Sequence, residues 1–249
     1  MYHKMYSSPR IFVIVIGSFE LPVYQSFIAL RKAQLVKLGI PHMFIYDDMT
    51  PPEYPFDPQT DVCIPKAKPP YPVMNELNSR PNALNPHMVL KFLKSLQRID
   101  ETQYDYILRV NLSTFIHFEA LITILKIQPR TKYVGGHMMT FPIADWRLNP
   151  VEPTKFISGT CMIFSKDVIS MLKTIEYDYY VLYEHNDDLV ISYLTNVYTN
   201  HLSHVPMVFL ENDRRPSREE IHQNALFRVK HYSDRLYDID IWKYLLTNI

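Results

Sequence analysis

Residues 11–16 read Ile-Phe-Val-Ile-Val-Ile, with no polar side chain in the run. A strand with one wet face alternates polar and apolar residues. A short run that is apolar throughout and rich in β-branching belongs to a strand covered on both faces, as in a parallel sheet between helices. Such a fold needs a long chain and a large core. The 249 residues and 47% apolar content meet both needs. The run is too short to span a membrane and lacks the small-residue cleavage pattern of a signal peptide. The expectation is a soluble, cytoplasmic protein.

The pattern continues in the same sense. Residues 22–38 carry Val23, Phe27, Leu30, Leu35 and Leu38 at helical spacing and stop at Gly39. A second strand over IPHMFIYDD ends in Asp47 and Asp48. Strand, helix, strand is the opening of a parallel α/β sheet. Ten of the nineteen prolines then fall in residues 51–86, which predicts a long loop or flap, with Lys66, Lys68 and Arg80 on it. Asn85-Pro86 reads as a helix N-cap and first helical position, and that helix runs to about Arg98. Strands follow at 104–114 and over TKYVGGHM, with a helix at 117–127 between them. Residues 139–154 form a second loop holding Trp146 and Arg147. KFISGTCMIFS reads as a strand interrupted at Ser158-Gly159-Thr160. Two helices come next, one capped by Ser165 and one opening with Asp187 and Asp188. HVPMVFLEN is a late strand. The chain closes with a strand from Leu226 and a helix capped near Asp238. No composition break marks a linker, so one domain over residues 1–249 is expected.

Composition excludes some functions. Lys plus Arg equal Asp plus Glu at 26 each, which disfavours a general nucleic-acid or membrane-surface binder. Cys63 and Cys161 form no CxxC pair, so two reduced thiols are expected rather than a zinc site or disulfide framework. No internal repeat or low-complexity tail is present.

The chemistry concentrates at predicted strand ends, where ligands bind in open α/β sheets. The strand YDYILRV ends in Asn111, Ser113 and Thr114. Arg109 shares a strand face with Asn111, and its guanidinium fork suits phosphate oxygens. Small polar residues at a strand end also serve as plain turn formers. Gly17 and Ser18 follow the first strand. Asp47 and Asp48 follow the second, where a carboxylate accepts from a base N–H or a ribose hydroxyl, or simply makes a turn. Trp146 is suited to stacking on a sugar face, or to anchoring its loop. Gly159 inside a strand marks a bulge or a close backbone approach. Asp187 and Asp188 in a first helical turn complement the helix dipole whatever else they do. That position predicts an ionised, low-pKa carboxylate.

In order and spacing, "YDYILRVNLSTF…KYVGGH…FISGTCMIFSKDVISML…HNDDLVISYL…FRVKH" resembles the GT-A class of nucleotide-sugar glycosyltransferases. More narrowly, it resembles small glycosyltransferases of large DNA viruses and their cellular relatives, over roughly residues 10–245. The resemblance implies a single Rossmann-like GT-A domain, a mostly parallel central sheet flanked by helices. Its donor half covers about 10–115 and its acceptor half about 116–249. It implies transfer of a sugar from a nucleoside-diphosphate sugar, UDP-sugar first, to a glycan hydroxyl, in the host cytoplasm for a viral enzyme. Asp188, with Asp187 second, takes the place of the general base, and such a base fits inversion of configuration. Gly17, Ser18, Asp47, Asp48, Arg109, Asn111 and Ser113 fall on the donor side, and Trp146, Arg147 and Gly159 on the acceptor side. His231 falls where the class places a late metal or phosphate contact. The class holds Mn²⁺ or Mg²⁺ with a DxD motif, and here that place reads Asn111-Leu112-Ser113. Neutral oxygens bind a hard divalent cation weakly alone, so the metal requirement stays open. Two other functions compete. One is a nucleotidyltransferase, which would show a Gly-rich phosphate loop where only Gly17 stands. The other is a catalytically silent glycan- or nucleotide-binding module, motivated by the missing carboxylates.

Overall fold

The computed structural model describes residues 7–17, 22–46, 56–65, 86–140, 155–175, 187–211, 214–231 and 233–249. The apolar run is strand β1 (Ile11–Ile16), followed by helix α1 (Val23–Lys37) and strand β2 (His42–Tyr46). Val13 and Val15 point into one core and Ile14 and Ile16 into the other, so β1 is covered on both faces as its composition requires. Each such fully buried side chain contributes roughly 1.5–3 kcal/mol. Gly39 closes α1 at φ 62°, a left-handed value that favours glycine.

Strand β3 (Asp61–Cys63) lies beyond β2, and β4 (Tyr106–Asn111) lies on the other side of β1. β7 (Lys155–Ser165), β6 (Val134–Thr140) and β8 (Ser203–His204) complete a seven-stranded sheet of order β3-β2-β1-β4-β7-β6-β8. Four of its six neighbour pairings are parallel, and the two made by β7 are antiparallel. Helices α2 (Pro86–Leu96), α4 (Lys166–Thr174) and α5 (Asp187–Thr199) pack on one face. On the other face lie α1, α3 (Phe118–Leu125), α6 (Arg218–Gln223) and α7 (Arg235–Thr247).

A second sheet, absent from the sequence reading, has the order β5-β10-β9: Thr114–Ile116, Leu226–Val229 and Met207–Leu210. The expected strand at 104–114 is therefore two strands in two sheets. The chain leaves the large sheet at Asn111, turns through Leu112 and Ser113, and enters the small sheet at Thr114. HVPMVFLEN divides likewise, with β8 in the large sheet and β9 in the small one around Pro206. β5 is an edge strand, and α1 takes two of its carbonyls. Arg31 donates to Thr114 O, and Gln34 Nε2 donates to Ile116 O at 2.9 Å. The Arg31 guanidinium lies 4.5 Å from the Trp242 ring centre, and burial pushes its pKa down to about 9.

Local details differ from expectation for physical reasons. α7 begins at Arg235, capped by Asp234, whose carboxylate accepts the Leu236 N–H at 2.9 Å; Asp238 is a buried first-turn residue instead. Ser165 precedes α4, but its hydroxyl is engaged by Asp167 at 2.6 Å. β7 runs unbroken through Gly159, and the irregularity lies on its neighbour. Pairing of β6 with β7 shifts register between Gly136 and Met138. Gly136 sits at φ 149°, and a Cβ there would lie 2.3 Å from the Cys161 carbonyl oxygen. The shift leaves Ser158–Thr160 outside both ladders, with main-chain groups turned to other partners. Among the described residues Cys63 and Cys161 are not joined in a disulfide, and no helix is long and apolar enough to cross a membrane.

Candidate active site

β1 and β4 pair in parallel with Ile16 opposite Asn111, so their C-terminal ends open on one edge of the sheet. Gly17 stands at that edge beneath Tyr46, and a Cβ on it would meet the ring at 2.3 Å. Its carbonyl accepts from Lys91 Nζ at 3.2 Å, a buried lysine on α2. Of the residues expected here, Ser18, Asp47, Asp48, Trp146 and Arg147 lie outside the described residues, as do Lys66, Lys68 and Arg80.

Arg109 occupies a different setting from the expected phosphate contact. Its side chain is 2% exposed and forms an ion pair with Asp187. It also donates through Nη1 to the Gly159 carbonyl at 2.7 Å. The Gly159 N–H donates to Asp188 Oδ2 at 3.0 Å, and Asp188 Oδ1 accepts the Leu189 N–H at 3.0 Å. Arg109, Asp187, Asp188 and Gly159 thus close a ring between β4, β7 and the first turn of α5. Glycine at 159 leaves room for the ring, because a Cβ would lie 2.8 Å from Arg109 Nη1 and 3.2 Å from Asp188 Cβ and would have to displace them.

The ring sets the carboxylate chemistry. Burial and the neighbouring Asp187 charge raise the Asp188 pKa above the ordinary aspartate range, against the Gly159 N–H, Arg109 and the Leu189 N–H. The helix N-terminus predicts the opposite direction, and desolvation outweighs it. A carboxylate with a raised pKa is a better proton acceptor than a free aspartate.

Asn111 and Ser113 belong to a second cluster. Arg228 on β10 donates through Nη1 to Asn111 Oδ1 at 2.9 Å and also to Ser113 Oγ. Thr114 Oγ1 lies 2.8 Å from Asn111 Oδ1 and 2.9 Å from the Thr160 carbonyl, joining the turn to β7. The Val229 N–H donates to the Ser113 carbonyl at 2.8 Å, which fixes β10 against the turn. Lys230 follows on the face of Arg228. Partial burial and the charges of Arg228 and Arg235 lower its pKa, against Glu211 and Asp238.

These donors do not suit a divalent cation. The Asn111 and Ser113 oxygens already face a guanidinium, and a metal beside them would meet its charge. His231 presents its Nδ1 to the backbone N–H of Asp234 at 2.8 Å, next to the N-terminus of α7. Among the described residues no group of three or more His, Cys, Asp or Glu side chains is arranged to hold a metal.

Arg228, Lys230 and Lys91 were missed by sequence reasoning. Arg228 and Lys230 carried a weak signal, since they alternate with apolar Phe227 and Val229 on a strand. Lys91 gave none, being one lysine on an amphipathic helix.

No family model matches the chain, and no curated protein sequence matches it. Solved structures do match. The crystal structure of a glycosyltransferase involved in the glycosylation of the major capsid of PBCV-1 aligns over 95% of this chain and 100% of that chain. The TM-score is 0.50 and the identity 9%. At that identity the likeness carries the fold: mixed α/β, with a large, mostly parallel central sheet flanked by helices, of the Rossmann-like kind that this glycosyltransferase has.

Proposed function

We propose that this chain is a glycosyltransferase that moves a sugar from a nucleoside-diphosphate sugar, a UDP-sugar first, to a hydroxyl of a glycan acceptor, with inversion. The observation that carries the reading is the Asp188 carboxylate. It is held by two backbone N–H groups at the open edge of the sheet and is made basic by burial beside Asp187. The fold likeness to a solved glycosyltransferase and the order of sequence motifs support the same class.

In the proposed step the acceptor oxygen attacks the anomeric carbon. Its proton passes to Asp188, and the bond from that carbon to the phosphate oxygen breaks, releasing the nucleoside diphosphate. Asp187 is paired with Arg109 and holds the α5 turn in place, so the base is Asp188 and its neighbour positions it.

The test is nucleotide release and sugar transfer on a panel of UDP-, GDP- and dTDP-sugars with glycan acceptors, comparing wild type with Asp188→Asn. Turnover of one donor, abolished in the variant, is the expected result. Near-wild-type transfer by the variant removes Asp188 as the base. The absence of carboxylates at Asn111–Ser113 favours one competing reading, a catalytically silent glycan- or nucleotide-binding module. Nucleotide binding without turnover of any donor selects that reading.

A further inference from the structure

We propose that Ser192, one turn after Asp188 on α5, is the positioning residue that sets the register of α5 on β7 and so aims the Asp188 carboxylate. The inference rests on the glycosyltransferase reading above and concerns how that site holds its base.

The sheet creates the need for such a residue. β4 pairs with β7 as far as Val110 opposite Cys161. β7 extends beyond that pair through Thr160 to Lys155. There, among the described residues, β6 alone pairs with it, with Met138 opposite Ile157. This stretch of β7 therefore has one edge without a strand, and the N–H and C=O groups on that edge need other partners.

Helix α5 supplies them. Ser192 is 1% exposed. Its Oγ accepts the Ile157 N–H at 2.9 Å and lies 3.4 Å from the Ile157 carbonyl, to which it donates. A hydroxyl is donor and acceptor at once, so one small side chain serves both main-chain groups of one residue. Two residues along the strand, Asp188 takes the Gly159 N–H and Arg109 donates to the Gly159 carbonyl.

The two contacts match in pitch. Asp188 and Ser192 are four residues apart, roughly 6 Å along a helix axis. Gly159 and Ile157 are two residues apart, roughly 6.7 Å along a strand. As α5 advances from Asp188 to Ser192, β7 runs back from Gly159 to Ile157. The helix thus lies antiparallel to the open edge, with one polar side chain for each outward-facing residue. Val190 and Ile191 are buried in the same core as Ile157 and hold the helix down. Apolar packing is non-directional, so the hydrogen bonds of Ser192 fix the slide of α5 along the strand.

Asp188 depends on that slide. A shift of α5 along β7 breaks the Gly159 bond and turns the carboxylate away from the acceptor hydroxyl. A general base has to stand within hydrogen-bond reach of the proton it takes, and small misplacements cost rate. Ser192 touches no reacting atom and acts through α5 and β7.

The test pairs amide hydrogen exchange, read by NMR at Gly159 and Ile157, with steady-state kinetics on the full chain. The variants are Ser192→Ala, Ser192→Cys and the control Thr195→Val. The control removes a buried α5 hydroxyl that bonds to the Ile191 and Ser192 carbonyls of its own helix. In Ser192→Ala both amides should exchange roughly tenfold faster than in wild type, Gly159 because Asp188 has lost its placement. Sugar transfer by the same protein should fall about tenfold in kcat with the donor KM unchanged. Thr195→Val should change neither. Ser192→Cys, whose thiol is a weak donor, carries the test if Ser192→Ala fails to fold. A folded variant with faster exchange at Ile157 alone, or with wild-type kcat, overturns the inference and leaves Asp188 standing as the base. A wild type that turns over no donor overturns the transferase reading instead, and the Gly159 amide then decides the register on its own.

Discussion

Two arginines mark the C-terminal end of β4, and their partners are opposites. Arg109 lies inside, 2% exposed, paired with the Asp187 carboxylate and with a carbonyl of β7. Arg228 comes from the second sheet, is half-buried, and reaches the neutral oxygens of Asn111 and Ser113. A guanidinium bound to a carboxylate has its charge neutralised and serves to hold elements together. One bound to amide and hydroxyl oxygens orients those groups. The same residue type therefore ties β4 to α5 on one side of the strand end and ties the second sheet to the turn on the other. Sequence order alone points to Arg109, two residues from the turn, and gives no sign of Arg228, more than a hundred residues away.

Breaking the acidic side should give the largest effects. Asp188→Asn is expected to cut transfer by roughly 10²–10⁴-fold, the range for a lost general base, measured as nucleotide release from the donor that wild type uses. The same variant should melt no lower than wild type at neutral pH. Because the folded pKa of Asp188 is raised, the native state favours the protonated form, and the stability this gives at low pH is lost as pH rises through that pKa. The neutral amide escapes that cost, which offsets the one backbone N–H that its Nδ2 can no longer accept, so a clear loss of melting temperature would mean that Asp188 is chiefly a structural group.

Arg109→Met removes the partner of Asp187. It should cost about 3 kcal/mol in urea unfolding, the low end for a broken buried pair because a quarter of the Asp187 side chain stays in solvent. A double-mutant cycle with Asp187→Asn should show strong coupling, and additive effects would dissolve the ring described here. Gly159→Ala should cost roughly 1–3 kcal/mol, since its Cβ must displace Arg109 Nη1 from 2.8 Å. Its activity should fall as well, because the Gly159 N–H orients Asp188. Unchanged activity would separate the ring from the chemistry.

The smallest effect is the sharpest in sign. The acid limb of kcat/KM should lie above the ordinary aspartate range. Asp187→Asn should move it to lower pH, because the Asp187 charge helps to raise the Asp188 pKa. An unmoved limb would assign the titration to another group.

Much of the fold was legible in the sequence. β1, β2 and α1 follow from apolar runs and periodicity, which report whether one or both faces of an element are covered. The acidic pair at the start of α5 was legible too, because a helix start has a local signature. The second sheet was not. β5, β9 and β10 are three or four residues long, and the residues that pair them are far apart in the chain.

By itself the sequence determined which residues are apolar on which face, where helices begin and stop, and which polar groups stand at strand ends. Those properties depend on neighbours a few positions away along the chain. Only the tertiary structure decided that Arg109 pairs with Asp187, that Arg228 comes to Asn111 and Ser113, and that the Asp188 pKa goes up rather than down. Charge partners and desolvation depend on distances through space, and those are set only when β7, α5 and β10 pack around the end of β4.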